Sequence, residues 1–153
     1  MKYFLIGYMG CGKSRMGRMM SHDLKMMFVD LDDYIVRREG RSVSEIFAAV
    51  GEEGFRQLER CCLEEVCASL TSFVMATGGG TPCFFDNMDY MNRQGKTIFL
   101  DADVDTLTSR VLRAKDKRPL LSGLDDGEVR DFVEQHLKKR MEYYLKAQEI
   151  WEV

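Results

Sequence analysis

Several features that would assign the protein to a special class are missing from its 153 residues. The longest apolar runs are of strand length, far below the roughly 20 residues that a membrane-spanning helix needs. The net charge of −3 provides no basic face of the kind that binds nucleic acid. The first strand-like run begins at Lys2, which leaves no room for a signal peptide. We therefore expect neither nucleic-acid nor membrane partners.

The cysteines also lack the pattern of a stapled or metal-bound protein. They number five and form no C-x-x-C pair, which disfavours both a zinc site and a disulfide framework. Free thiols are typical of a reducing cytosol. No repeat, low-complexity segment or linker divides the chain, and its length suits one hydrophobic core. We predict a single cytoplasmic domain over residues 1–153.

The most informative stretch runs from Gly7 to Ser14 and reads GYMGCGKS. An apolar run precedes it over residues 2–6, and methionines recur at helical spacing after it. Strand, glycine-rich turn, Lys-Ser and helix form the context of a phosphate-binding P-loop. In that context the positively charged Lys13 contacts the β- and γ-phosphates, and the Ser14 hydroxyl binds Mg²⁺. The alternative is a glycine-rich turn with an incidental Lys-Ser. The stretch predicts binding of a nucleoside triphosphate.

Apolar runs of strand length alternate with helical patterns along the rest of the chain. The predicted strands cover residues 26–29, 73–76, 97–100 and 150–153. The predicted helices cover residues 34–39, 46–50, 52–70, 86–92, 104–112 and 126–147, with Gly51 as a break. Alternation of this kind predicts an α/β fold with a parallel sheet flanked by helices.

Two further motifs follow predicted strands, at the sheet edge where ligands bind in open α/β folds. Asp30 and Asp32 come after the second strand, and Gly78, Gly79 and Gly80 after the third. In an extended segment the two aspartates share a face, so that one holds Mg²⁺ and the other accepts a hydrogen bond from a substrate hydroxyl. Helix capping by Asp32 or Asp33 is the structural alternative. The glycines permit close backbone approach by a ligand, although a tight turn would use them too.

Basic residues suggest how the second substrate is bound. Residues 113–123 are basic and then contain proline and glycine, as in a lid over a triphosphate site, although such a run is also typical of a solvated surface. Arg56 and Arg140 each adjoin apolar residues. If they face the cleft, the acceptor is anionic, because guanidinium groups suit bidentate carboxylate binding.

These motifs resemble, in order and spacing, those of the shikimate kinases. The motifs are Gly7 to Ser14, Asp30-x-Asp32, Gly54-Phe55-Arg56-x-x-Glu59, Thr77-Gly78-Gly79-Gly80, Arg118-Pro119-Leu120-Leu121 and Arg140-x-x-x-Tyr144. The resemblance implies a P-loop NTPase fold of the nucleoside-monophosphate-kinase type, with a five-stranded parallel sheet of order 2-3-1-4-5. It also implies a substrate-binding subdomain over about residues 31–60 and a lid over about residues 112–124.

The resemblance further implies ATP-dependent phosphorylation of shikimate to shikimate 3-phosphate, a step in the biosynthesis of chorismate and the aromatic amino acids. Asp32 would accept the proton of the attacking hydroxyl, and Lys13 and Arg118 would stabilise the transferring phosphate. The implied shikimate contacts are Asp32, Arg56, Gly78, Gly79, Gly80 and Arg140. The implied ATP contacts are Gly10, Cys11, Gly12, Lys13, Ser14 and Arg118, with Arg113 or Arg110 stacked on adenine. Ser14 and Asp30 would organise Mg²⁺.

Two other functions remain open at this point. One is another small-molecule kinase of the same fold, such as a gluconate kinase. The other is a nucleotide-dependent switch or a non-catalytic nucleotide-binding module. The absence of an Asn-Lys-x-Asp guanine signature disfavours a switch of the GTPase type. Members of the resembling family are commonly monomers, and they usually continue past the last strand into a loop that contacts adenine. We therefore expect a monomer, and a less complete adenine pocket within these 153 residues.

Overall fold

A parallel five-stranded sheet lies at the centre of the protein, in a computed structural model that describes residues 1–114 and 123–153. The strands are β1 (Lys2–Ile6), β2 (Met27–Asp30), β3 (Phe73–Ala76), β4 (Lys96–Asp101) and β5 (Glu149–Glu152). The helices are α1 (Lys13–Leu24), α2 (Leu31–Glu39), α3 (Val43–Ser69), α4 (Asn87–Gln94), α5 (Val104–Arg113) and α6 (Asp126–Tyr144). A short 3-10 helix also spans Thr81–Cys83.

The order of the strands is β2-β3-β1-β4-β5, which confirms the predicted topology. The central strand β1 pairs with β3 on one side and with β4 on the other, so that Phe4 lies opposite Met75 and Thr97. All four residues of β3 are buried. Because all the strands are parallel, the ends of β1, β2 and β3 deliver their following loops to the same edge of the sheet.

The start of α2 differs from the prediction. The helix begins at Leu31, three residues earlier than expected, because the Asp30 side chain caps it by accepting a hydrogen bond from the Asp33 backbone N–H. The expectation that Asp30 and Asp32 share a face of an extended segment is therefore wrong. Asp30 ends a strand and Asp32 lies in the first helical turn. The expected capping role of Asp32 or Asp33 belongs to Asp30 instead.

The helix α3 contains the predicted break. Gly51 has φ 73° and ψ −179° within it, a conformation that glycine adopts without the strain a Cβ would cause. A capping box formed by Ser42 and Glu45 starts the helix. Beyond the break, the α3 residues Phe55, Cys62 and Leu63 enter the hydrophobic core.

The last helix, α6, carries the predicted site residue Arg140. It starts with a capping box of Asp125 and Glu128 and ends at Tyr144, three residues before the predicted end.

Most of the predicted lid, including Arg118, lies outside the described residues. Within residues 1–114 and 123–153, no helix combines the length and apolar character needed to cross a membrane.

Candidate active site

The P-loop joins the end of β1 to the start of α1. Gly10 and Gly12 have φ values of 83° and 99°, which suit a turn whose N–H groups converge on an anion. The Lys13 ammonium group donates to the carbonyl oxygens of Gly7 at 2.6 Å and Tyr8 at 3.0 Å. Burial lowers the pKa of Lys13, and the nearby Cys11 and Asp32 act in the opposite direction. The lysine is thus held against the loop that would contact the phosphates.

The predicted metal-binding pair lies together at the start of the cleft. The Ser14 hydroxyl donates to Oδ2 of Asp30 at 3.1 Å, a bond that joins the start of α1 to the carboxyl end of β2. A hydroxyl and a carboxylate beside a phosphate loop are donors that Mg²⁺ uses, since this ion binds one or two protein oxygens together with phosphate and water. Among the described residues, no group of three or more His, Cys, Asp or Glu side chains could hold a metal ion. The pair therefore fits a magnesium ion shared with a nucleotide.

Asp32 stands next to this pair, surrounded by charge of both signs. Burial raises its pKa from 3.8 to about 6, and the negative charges of Glu59 and Asp30 add to the rise. Lys13 and Arg56 act in the opposite direction. A carboxylate with a pKa near neutrality is suited to accept a proton during catalysis.

The glycine triplet after β3 brings the charged side chains together. A Cβ on Gly78 would lie 3.3 Å from both Asp32 Oδ1 and Glu59 Oε2. On Gly79 it would lie 2.9 Å from Arg140 Nη1, and on Gly80 it would lie 2.6 Å from Arg56 Nη2. The charged side chains therefore pack directly on the backbone of the triplet. A side chain at any of the three glycine positions would push them away.

Arg56 is held by a buried carboxylate and by an aromatic ring. Its Nη1 donates to Glu59 Oε1 at 3.0 Å, and its guanidinium carbon lies 4.2 Å from the centre of the Phe84 ring. Glu59 is only 1% exposed, and its other oxygen accepts from the Thr81 hydroxyl at 2.8 Å. That hydroxyl in turn accepts from the Gly78 N–H at 2.9 Å. This chain of bonds fixes Arg56 relative to the glycine triplet.

Arg140 reaches the same triplet from α6. Its guanidinium carbon lies 5.7 Å from the centre of the Tyr8 ring. One turn further along the helix, the Tyr144 hydroxyl donates to the Gly79 carbonyl at 2.6 Å. Asp32, Arg56 and Arg140, which are far apart in sequence, thus meet around one short loop beside the P-loop.

The nucleotide side of the P-loop opens on a cavity of about 590 Å³. Gly10, Cys11, Gly12, Arg110 and Arg113 contribute to its walls. The Arg110 side chain donates to the Gly10 carbonyl at 2.7 Å, whereas Arg113 borders the same cavity. Both arginines therefore line the cavity beside the P-loop, and Arg118 lies outside the described residues.

Three residues of the site were given no role from the sequence. Glu59 and Tyr144 are part of the motifs, but the sequence predicted no contact for either of them. Thr81 is not part of any motif. An arginine and a glutamate three positions apart on a predicted helix indicate an ion pair, and this spacing could have identified Glu59. No local pattern indicates that Thr81 and Tyr144 bond to the glycine loop.

A P-loop, a neighbouring carboxylate base and two arginines around one cleft define a P-loop kinase that acts on a small anionic acceptor. The family model for shikimate kinase matches residues 9–152, and the chain belongs to the shikimate kinase family. A curated shikimate kinase from Bacteroides thetaiotaomicron is 48% identical over 150 residues, which are 98% of this chain and 85% of that protein.

Two solved structures agree with this assignment. The 1.7 Å crystal structure of shikimate kinase from Bacteroides thetaiotaomicron has a TM-score of 0.92 at 46% identity, and covers 99% of this chain and 85% of that one. Shikimate kinase from Acinetobacter baumannii, in complex with shikimate, has a TM-score of 0.88 at 31% identity, and covers 99% and 83% of the two chains.

Proposed function

We propose that this enzyme transfers the γ-phosphoryl group of ATP to the 3-hydroxyl of shikimate, giving shikimate 3-phosphate for aromatic amino acid biosynthesis. The observation that carries the proposal is the meeting of Asp32, Arg56 and Arg140 on the backbone of Gly78 to Gly80, beside the P-loop. Shikimate offers a carboxylate and three hydroxyls, which match two guanidinium groups, a carboxylate base and a glycine backbone.

The acceptor hydroxyl is activated by Asp32 in this proposal. Its pKa of about 6 leaves it ionised at neutral pH, yet basic enough to take a proton as the new P–O bond forms. Nearby Lys13 stabilises negative charge on the transferring phosphoryl group. To do so, its ammonium group exchanges the carbonyls of Gly7 and Tyr8 for phosphate oxygens. Arg118 stays a prediction from the resemblance for the same task.

The two arginines orient the acceptor. Arg140 and Arg56 bind the carboxylate and an adjacent hydroxyl of shikimate, and Gly78, Gly79 and Gly80 let the ring lie close to the backbone. Such charge-assisted hydrogen bonds fix both the position and the orientation of the acceptor. Positioning of the reactants is most of what phosphoryl transfer requires from a protein.

ATP binds along the P-loop in the same proposal. The N–H groups of Gly10, Cys11, Gly12, Lys13 and Ser14 surround the phosphates, with adenine between Arg110 or Arg113 and the neighbouring cavity wall. The Ser14 hydroxyl and Asp30 would hold Mg²⁺, which would neutralise phosphate charge when bound. We further propose a monomer in the cytoplasm; the presence of these residues on one chain and the five free cysteines support this.

An acceptor panel tests the proposed reaction. ADP release is measured with shikimate, shikimate methyl ester and gluconate, each at several concentrations. We expect turnover with shikimate, a strongly raised KM for the ester because its carboxylate is masked, and no turnover with gluconate. A folded, ATP-binding protein that phosphorylates gluconate in preference to shikimate would contradict the substrate assignment.

Two substitutions test the division of roles. Arg140→Ala should raise the KM for shikimate about 10- to 100-fold, the effect of losing a charged hydrogen-bond donor. Lys13→Ala should instead abolish turnover, because its charge acts mainly in the transition state. Arg130→Ala is the matched control on α6, since Arg130 forms ion pairs with the exposed side chains of Asp105 and Glu134. Equal loss of ATP affinity in the two site variants would refute the division.

A further inference from the structure

Tyr8 connects the P-loop to the helix that carries Arg140. It occupies the second position of the loop, yet its side chain is only 1% exposed. Its hydroxyl lies 3.0 Å from Nδ1 of His136, which is 128 positions away in the sequence. The two rings meet edge to face, with centroids 5.4 Å apart and an interplanar angle of 87°. The contact therefore fixes both the distance and the orientation of the tyrosine ring.

His136 is one helical turn before Arg140 on α6. Burial lowers the pKa of His136 to about 4, and the positive charges of Arg140 and Lys139 contribute. The imidazole is therefore neutral at neutral pH and adds no charge beside the arginine. Its ring also packs on Phe132 with centroids 5.1 Å apart, which anchors it to the preceding turn of the helix.

The guanidinium of Arg140 faces the tyrosine ring that His136 holds. The 5.7 Å separation between the guanidinium carbon and the ring centre lies within the range of a cation–π contact. On the other side, a Cβ on Gly79 would lie 2.9 Å from Arg140 Nη1. The arginine thus contacts both the ring of Tyr8 and the backbone of Gly79, and the position of the ring limits where the guanidinium can lie.

We propose that Tyr8 and His136 are positioning residues for Arg140, which set the direction in which its guanidinium meets the acceptor carboxylate. Neither side chain is assigned a contact with shikimate or ATP. The inference rests on the proposed role of Arg140 as a ligand of that carboxylate. It assigns a task in acceptor binding to a side chain of the nucleotide-binding loop.

Steady-state kinetics of Tyr8→Phe test this inference. The variant keeps the ring that faces Arg140 and loses only the hydroxyl that fixes it. We expect the KM for shikimate to rise about threefold to tenfold, the usual worth of one hydrogen bond. The kcat and the KM for ATP should stay within about twofold, because the ring points towards α6 and not along the loop. His136→Phe should show the same pattern, and His136→Gln, which retains an acceptor, should recover most of the affinity.

A double-mutant cycle and a matched control sharpen the test. If the two residues act as one unit, Tyr8→Phe combined with His136→Phe should raise the shikimate KM no further than His136→Phe alone. Tyr143→Phe removes another hydroxyl from α6, on a ring that contacts Lys146, and should leave all constants unchanged.

Two results would overturn the inference. One is an unchanged shikimate KM in Tyr8→Phe, and the other is a rise of the ATP KM equal to that for shikimate. Failure of the proposed function is distinguishable, because the natural protein would then not turn over shikimate, or Arg140→Ala would leave the shikimate KM unchanged. If Arg140→Ala raises that KM and Tyr8→Phe does not, only the positioning role is refuted.

Discussion

Replacing Asp32 by asparagine should stabilise the fold and at the same time remove catalysis. The side chain is partly buried beside Glu59 and Asp30, which together with burial raise its pKa from 3.8 to about 6. A raised pKa means that the folded protein holds the ionised carboxylate less favourably than the unfolded chain does. The neutral amide of asparagine has nearly the same shape and avoids this unfavourable charge.

The magnitude follows from the size of the rise. One pKa unit corresponds to about 1.4 kcal/mol, so a rise from 3.8 to about 6 corresponds to about 3 kcal/mol at pH 7.5. Part of the burial penalty remains with a polar amide, and we expect a gain of about 1 to 3 kcal/mol in the free energy of unfolding. For a chain of this length that gain raises Tm by about 3 to 8 °C.

The gain should depend on pH in a defined direction. Because the folded-state pKa lies above the unfolded value, the folded state binds more protons between pH 4 and 6 and the stability of the natural protein falls as pH rises through that window. Asp32→Asn should therefore be more stable than the natural protein above pH 6, and the difference should vanish near pH 4.

Thermal unfolding at pH 4.5, 6 and 7.5 measures this, together with ADP release at pH 7.5. Asp33→Asn serves as the control, since Asp33 is exposed in the same helical turn and should lose only the small interaction with the helix dipole. Loss of stability at pH 7.5, or a gain that is equal at all three pH values, would refute the reasoning about the site's electrostatics. Turnover retained near the natural rate would refute the catalytic assignment.

Further predictions concern pH, packing and the nucleotide. The kcat/KM for shikimate should fall about tenfold per pH unit below pH 6, because Asp32, with its pKa of about 6, must be ionised to act; a flat profile down to pH 5 in folded protein would contradict this. Gly80→Ala should raise the shikimate KM at least about tenfold with little change for ATP, because its methyl group would lie 2.6 Å from Arg56. Gly127→Ala, where the nearest side chain is 3.5 Å away, should have no such effect. Arg110→Ala should raise the KM for ATP several-fold and spare that for shikimate, and the opposite pattern would rule out its place on the nucleotide side.

Local patterns were sufficient for most of the sheet and for the P-loop. The buried strands and the caps at Ser42 and Asp103 depend on residues within a few positions, so that periodicity and capping rules could find them. The order of the strands came from the resemblance to a family, because periodicity does not determine which strands are neighbours. The start of α2 was misplaced, since three aspartates within residues 30–33 could cap it and only the folded geometry selects Asp30.

The site was harder to predict where it depends on contacts between distant residues. The acidic pair was correctly placed beside the P-loop, yet the reasoning that both carboxylates share an extended face was wrong. The bonds from Glu59 through Thr81 to Gly78 span 22 positions, and the bond from Tyr8 to His136 spans 128. Such pairs leave no periodic signal in one sequence, because either partner alone is an ordinary buried or helical residue.

The backbone after β3 also has a mechanical consequence for catalysis. Gly78 adjoins the base, Gly79 adjoins Arg140 and Gly80 adjoins Arg56, so three consecutive peptide units form a common reference frame for groups of opposite charge. The frame is attached to a strand buried along its whole length. Asp32, Arg56 and Arg140 stand on three separate helices, α2, α3 and α6, so this backbone is a common surface against which the helices set the spacing between the proton acceptor and the carboxylate ligands.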